Sequence, residues 1–212
     1  MLQYDIFQYV EDNKQVSIGI TNSKAFKRGF DIGNITKADL LESMPYQNDI
    51  NLITIQGKHL KQALQDSAGS LSADGKSSES FLQVSGIKMT IDLSRSKDDR
   101  VTKLKVKCTQ CSETIYEDLV DDQNYNVAIN SFVGSRGAFS NHIAKLDGQL
   151  DTDVLEKYLE AQSPISMDTI KDQNRITILG GTSGSGWSIK STNNLILEAF
   201  MLYVVLVQFL AF

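Results

Sequence analysis

Three strand-like runs lie almost end to end between Phe81 and Val106, and they fix what kind of fold this chain can adopt. Phe81–Val84 and Ile87–Leu93 are separated only by Ser85 and Gly86, and Ser94–Arg100 (SRSKDDR) reads as a charged hairpin loop leading into Val101–Val106. In Ile87–Leu93 apolar side chains recur at every second position, the pattern of a strand with one face buried. Elsewhere strands and helices alternate. Leu2–Asp12 reads as the end of a helix and Val16–Ile20 as a short buried strand. Thr36–Met44 is a predicted helix with Thr36 as N-cap and Asp39 completing a variant capping box. Asn51–Gln56 is a strand that Gly57 turns into a helix over Lys58–Ser67, with Leu60, Ala63 and Leu64 inward. Tyr125–Ile129 is a further strand, Thr152–Gln162 an amphipathic helix and Arg175–Leu179 a last strand. Adjacent strands combined with helices between strands predict an α/β (α+β) domain over residues 1–179, with a mixed sheet and flanking helices. Ser67–Ser80 is rich in serine and glycine and reads as a surface loop.

The remaining residues are of a different kind. Gly180–Gly186 (GGTSGSG) is a run of small residues, Trp187–Asn194 is a polar spacer, and Leu195–Phe212 is an apolar tail that ends the sequence. Small residues, a spacer and a terminal tail form the glycosylphosphatidylinositol (GPI) attachment pattern, with Ser183, Gly184 and Ser185 as candidate acceptors. A buried C-terminal helix and a tail anchor are the competing readings. The tail has no Lys or Arg after it and contains Glu198 and Gln208, which disfavours a spanning helix. GPI processing places the domain outside the cell, at the cell surface. Met1–Val10 has neither a basic nor an apolar signal region, so the expectation is that this chain is the C-terminal part of a longer secreted protein.

A net charge of -5 argues against nucleic acid as a partner, since phosphate backbones need a basic surface. Cys108 and Cys111 form a CTQC motif at a strand end, followed by an acidic loop rather than a helix. With two cysteines and two histidines in all, a four-cysteine zinc site is impossible, and a mixed site needs both distant histidines. In an extracellular setting a small local disulfide is the expected state. His59 is expected to be exposed at a helix start; His142 follows a loop, and either environment stays open for it. The two occupy unrelated places in the sequence. Asn34-Ile35-Thr36 is an N-glycosylation pattern before a helix, so Asn34 is a candidate glycan site.

Phe81–Cys111 (FLQVSGIKMTIDLSRSKDDRVTKLKVKCTQC) resembles the C-terminal domain of the ecto-5'-nucleotidase/apyrase family. Further similarities are Asn34-Ile35-Thr36, Leu40–Tyr46 (LLESMPY), the Gln56–Leu64 segment and Tyr125–Phe132 (YNVAINSF). The resemblance implies a two-domain hydrolase in which an N-terminal domain holds two divalent metals, such as zinc, and performs the chemistry. The C-terminal domain then binds the nucleoside of a nucleotide, with the base between two aromatic rings. Position by position, those rings are Tyr46 and Phe132, Asn22 reads the base, and Lys27 stands for a phosphate-contacting arginine that Arg28 could replace. The resemblance implies no cofactor in this chain itself, and leaves a homodimer open.

Two departures qualify that expectation. The family's glycines after the base-reading asparagine are Ser23, Lys24 and Ala25 here, so this turn differs. In the loop after Phe132, Gly134–Phe139 (GSRGAF) is shorter and lacks the family's ribose-binding acid. Two functions follow. One is the nucleoside-binding domain of a GPI-anchored nucleotide hydrolase; the other is a non-catalytic relative serving as a binding or adhesion surface.

Overall fold

The computed structural model describes residues 16–76, 78–108, 110–111, 113, 115–144, 149–164 and 175–181. The expected helix at Leu2–Asp12 and most of the spacer and tail lie outside these residues. Among the described residues no helix is long and apolar enough to cross a membrane.

Strands β1 (Ile18–Asn22), β2 (Ile50–Gln56), β3 (Leu82–Ser85), β7 (Asn124–Asn130) and β8 (Ile143–Ala144) form one sheet in the order β3-β1-β7-β2-β8. Strands β4 (Ile87–Asp92), β5 (Val101–Lys107), β6 (Tyr116–Asp118) and β9 (Ile176–Leu179) form a second, ordered β6-β5-β4-β9. Each sheet contains one parallel pair, β1 with β7 and β4 with β9. The single mixed sheet expected from sequence is thus two mixed sheets. The helices are α1 (Lys37–Ser43), α2 (Gly57–Gly69), the short α3 (Ser131–Gly134) and α4 (Asp151–Gln162).

Side-chain alternation on β7 shows how the layers stack. Val127 and Ile129 join one core with Leu60 and Leu64 of α2 and with Met89, Ile91 and Val106 of the second sheet. Ala128 between them joins another core with Leu40 of α1, Met44 just after it, and Val154, Leu155 and Tyr158 of α4. Successive strand residues point to opposite faces, so the five-stranded sheet is covered on both sides. Full burial of β1 follows, and it explains why this strand shows no alternation.

The chain leaves the first sheet for the second at Gly86, where φ is +68 and a Cβ would stand 1.7 Å from the Ser17 carbonyl oxygen. Only glycine fits there, because both the dihedral and the contact exclude a side chain. Helix α2 begins at Gly57 itself, whose ideal Cβ would lie 2.1 Å from the Val120 carbonyl oxygen. It also runs on through Ser67–Gly69, residues whose composition places them in the surface loop. Ser67 is buried, and its hydroxyl accepts a hydrogen bond from the Leu82 N–H at 2.8 Å. Arg100, expected in a charged loop, is likewise buried. Its guanidinium donates to the Ala68 and Leu71 carbonyls at 3.2 and 2.6 Å, closing the C-terminal end of α2.

Strand boundaries otherwise fall close to the expected ones, although β1 starts two residues after Val16. β6, β8 and α3 have no counterpart in the sequence reading, being too short to show a period and stabilised by their neighbours. Thr36 and Asp39 form the expected capping box, with Thr36 N–H donating to Asp39 Oδ2 at 2.8 Å. Cys108 and Cys111 are disulfide-bonded, as expected.

Candidate functional site

β1 runs parallel and β2 antiparallel to β7, so the C-terminal ends of β1 and β7 meet the N-terminal end of β2 at one end of the sheet. The register is Ile20 opposite Ile129 and Ile50 opposite Asn130. The segments carrying Asn22, Lys27, Tyr46 and Phe132 all emerge at this end.

Asn22 closes β1 and is almost fully buried at 4% exposure. Its amide donates to the Glu79 carbonyl at 3.3 Å, and its carbonyl oxygen accepts from Asn130 Nδ2 at 3.3 Å. Asn130 ties the end together. Its Nδ2 also donates to Thr21 Oγ1 at 2.9 Å, while its Oδ1 accepts the Val133 N–H at 2.9 Å and so caps α3. That cap presents Phe132, one residue into α3, with 43% of its surface exposed. Over the Phe132 ring lies Arg136, its guanidinium carbon 3.6 Å from the centroid. Arg136 is pinned there by donating Nη1–H to the Phe132 carbonyl at 2.6 Å. Phe139 is buried in the core and takes no part in this exposed end.

Tyr46 lies in the turn after α1, between buried Met44 and Gln47, whose φ is 48. It is 47% exposed. Lys27 is brought to it by the Lys27 N–H donating to the Ser43 carbonyl at 2.8 Å, which places Nζ 5.3 Å from the Tyr46 ring centroid. Arg28 is not a free substitute for Lys27, because it pairs with Asp39 at 2.8 Å and Glu42 at 3.0 Å. Hydrogen bonds from Thr36, and then the Arg28 charge, hold the Asp39 carboxyl below its ordinary range. Lys24 pairs with Glu79.

Beneath the Tyr46 turn sits Asp151, first residue of α4 and 1% exposed. Its N–H donates to the Asn48 carbonyl at 2.8 Å, and Asn48 Nδ2 donates to Asp151 Oδ2 at 3.3 Å. Burial pushes its carboxyl up to about 6, and the Asp49 charge acts in the same direction. Sequence reasoning missed Asn130, Arg136 and Asp151 as members of this end. An asparagine just before a short apolar stretch is an N-cap signal that could have exposed Asn130. Nothing local marks the other two.

The described residues do not fit a two-metal centre. A group of three possible ligands, Cys108, Cys111 and Glu117, has both sulfurs tied in the disulfide. A cavity of about 470 Å³ lies beside that disulfide, lined by Lys107, Glu117, Asp118 and Asn124, at the opposite end of β7 from Phe132. His59 and His142, unrelated in the sequence, are in contact, with ring centroids 5.5 Å apart. His59 is half-buried rather than exposed, with the His142 ring against it. Asn34 is exposed, and Ser183, Gly184 and Ser185 lie outside the described residues.

The family model for the 5'-nucleotidase C-terminal domain matches residues 1–144. An apyrase of Tabanus yao is 31% identical over 169 residues, covering 77% of this chain and 30% of that protein. A 5'-nucleotidase of Rattus norvegicus is 33% identical over 158 residues, covering 71% of this chain and 27% of that one. The crystal structure of a 5'-nucleotidase precursor from Thermus thermophilus shares the fold, with a TM-score of 0.66 at 24% identity over 84% of this chain and 34% of that chain. The chain spans about a third or less of each of these relatives. Two mixed sheets with flanking helices and a family match over most of the sequence agree: the chain belongs to the 5'-nucleotidase C-terminal domain family.

Proposed function

We propose that this chain is the nucleoside-binding part of an extracellular 5'-nucleotidase or apyrase-type hydrolase, taking the base between Tyr46 and Phe132. The observation that carries this reading is the pair of large aromatic rings left half exposed at one end of the same sheet, each with a cation near a ring face. Exposed aromatic faces favour planar ligands, and stacking a base is worth about 1–3 kcal/mol. Lys27 is the cation placed to meet a phosphate, since Arg28 is engaged by two carboxylates. Asn22, expected to read the base, is buried with its amide nitrogen and oxygen engaged by Glu79 and Asn130, so in this reading it supports the wall of the site rather than contacting the base.

Hydrolysis belongs, in this reading, to a metal-bearing domain beyond these residues, because no two-metal ligand set is found among those described. The purified chain should therefore release no phosphate from AMP or ATP with magnesium or zinc added. The surface location rests on the GPI pattern in residues 180–212, with Ser183, Gly184 or Ser185 as acceptor and Asn34 as glycan site. A relative whose name places it in snake venom, from Macrovipera lebetinus, is 30% identical over 193 residues, and this supports an extracellular setting.

A second reading is favoured by Arg136, which covers the Phe132 face and stands in the loop where the family resemblance called for an acid. In that reading the pocket no longer serves a nucleoside, and the domain is a surface for other partners. Calorimetric titration with adenosine and AMP separates the two. Nucleoside recognition predicts measurable binding that Tyr46→Ala weakens by about tenfold, the equivalent of losing one stacked ring. It also predicts that Arg136→Ala leaves binding intact or improves it, by freeing the ring. No binding to the unaltered chain or to Arg136→Ala would remove the first reading and leave the second.

A further inference from the structure

We propose that His59 and His142 form a binding site for a borderline divalent transition-metal ion, of the class of zinc(II), nickel(II) or copper(II), with water completing its coordination. His59 stands in the first turn of α2, beside the fully buried Leu60. His142 follows the turn that ends at Phe139 and donates its N–H to the Phe139 carbonyl at 3.0 Å. Phe139 is itself buried in one core with Leu60 and Leu64. Both imidazoles therefore hang from backbone anchored to the same packed side chains, and their positions relative to each other are set in advance.

The ring centroids are 5.5 Å apart with planes inclined at 42°. A tetrahedral ion bonded at ~2.1 Å to one nitrogen of each ring holds the centroids about 5–6 Å apart, and the observed spacing matches that separation. A face-to-face stack would bring the planes parallel, which they are not. Moreover, His59 Nδ1 is buried and has no hydrogen-bond partner among the described residues. A buried nitrogen without a partner is unfavourable, and a metal bond is one way to satisfy it. Neutral imidazole suits zinc, nickel and copper, whereas magnesium and calcium prefer oxygen. The pair is separate from the residues around Asn22, Tyr46 and Phe132 and makes no use of them.

The test is calorimetric titration of the untagged, chelator-treated full chain with zinc, nickel and magnesium chlorides. Zinc and nickel should bind to a single saturable site and magnesium should not. His59→Ala and His142→Ala should each weaken zinc binding by at least about tenfold, since losing even an outer-shell partner of a metal ligand costs that much. Absence of zinc and nickel binding, or equal binding by variants whose circular dichroism is unchanged, overturns the proposal. Should the variants fail to fold, copper(II) electron paramagnetic resonance on the unaltered chain decides: coupling to two imidazole nitrogens is expected, and coupling to fewer overturns the site.

Discussion

Between Leu82 and Lys107 the fold is set by backbone. One glycine switches the chain between sheets, and the strands that follow pair with near neighbours, Ile87 opposite Val106 and Met89 opposite Leu104. At the end of the sheet around Asn22, Tyr46 and Phe132, order comes instead from side chains on distant segments. Asn130 joins β1 to α3, and Asp151 holds the turn that carries Tyr46. The first arrangement leaves no room for variation. The second keeps two aromatic rings exposed on a framework of individually modest hydrogen bonds, and it can change its surface without losing its fold. Ser23–Ala25, where the resemblance called for glycines, and Arg136 both fall in this second region.

Three substitutions test that contrast, the most damaging first. Gly86→Ala should cost about 4 kcal/mol or prevent folding, because a methyl meets the Ser17 carbonyl at a positive φ. Urea denaturation measures it, and a loss below about 1 kcal/mol would show that the sheet switch is pliable. Asn130→Ala should cost about 2–3 kcal/mol, removing a helix cap and the buried donor to Thr21 Oγ1 and Asn22 Oδ1. The fold should survive, but Phe132 should lose its fixed position; an unchanged urea midpoint would mean that packing alone orders this end.

The smallest effect is a dependence on pH. Asp151 holds its proton more tightly when folded, with the carboxyl raised to about 6 from the ordinary 3.8. Its stabilising contribution is fully present below about pH 4 and is lost as pH rises towards and through about 6. The amplitude should be on the order of 2 kcal/mol. Asp151→Asn should flatten that part of the stability profile, measured by urea denaturation at pH 4.5 and 7. A profile with the same slope in both proteins would place the titration elsewhere.

Legibility in the sequence followed the same division. The hairpin region, the Thr36 capping box, the inward face of α2 and the Cys108–Cys111 pair were readable because each is a relation between residues close in the chain. The family resemblance assigned Asn22, Lys27, Tyr46 and Phe132 to one site, and the strand register brings their segments to one end of the sheet.

By itself, the sequence determined the element types, most boundaries, the local disulfide and the family, through periodicity, caps and motif spacing. Tertiary structure decided everything that depends on residues far apart in the chain meeting. It divided one expected sheet into two and buried Arg100 against the carbonyls of α2. It laid Arg136 over Phe132 and raised the Asp151 carboxyl by burial. It also brought His59 and His142 together. The physical reason is that burial, desolvation and contact across a core are properties of the packed molecule, and no local pattern along the chain encodes them.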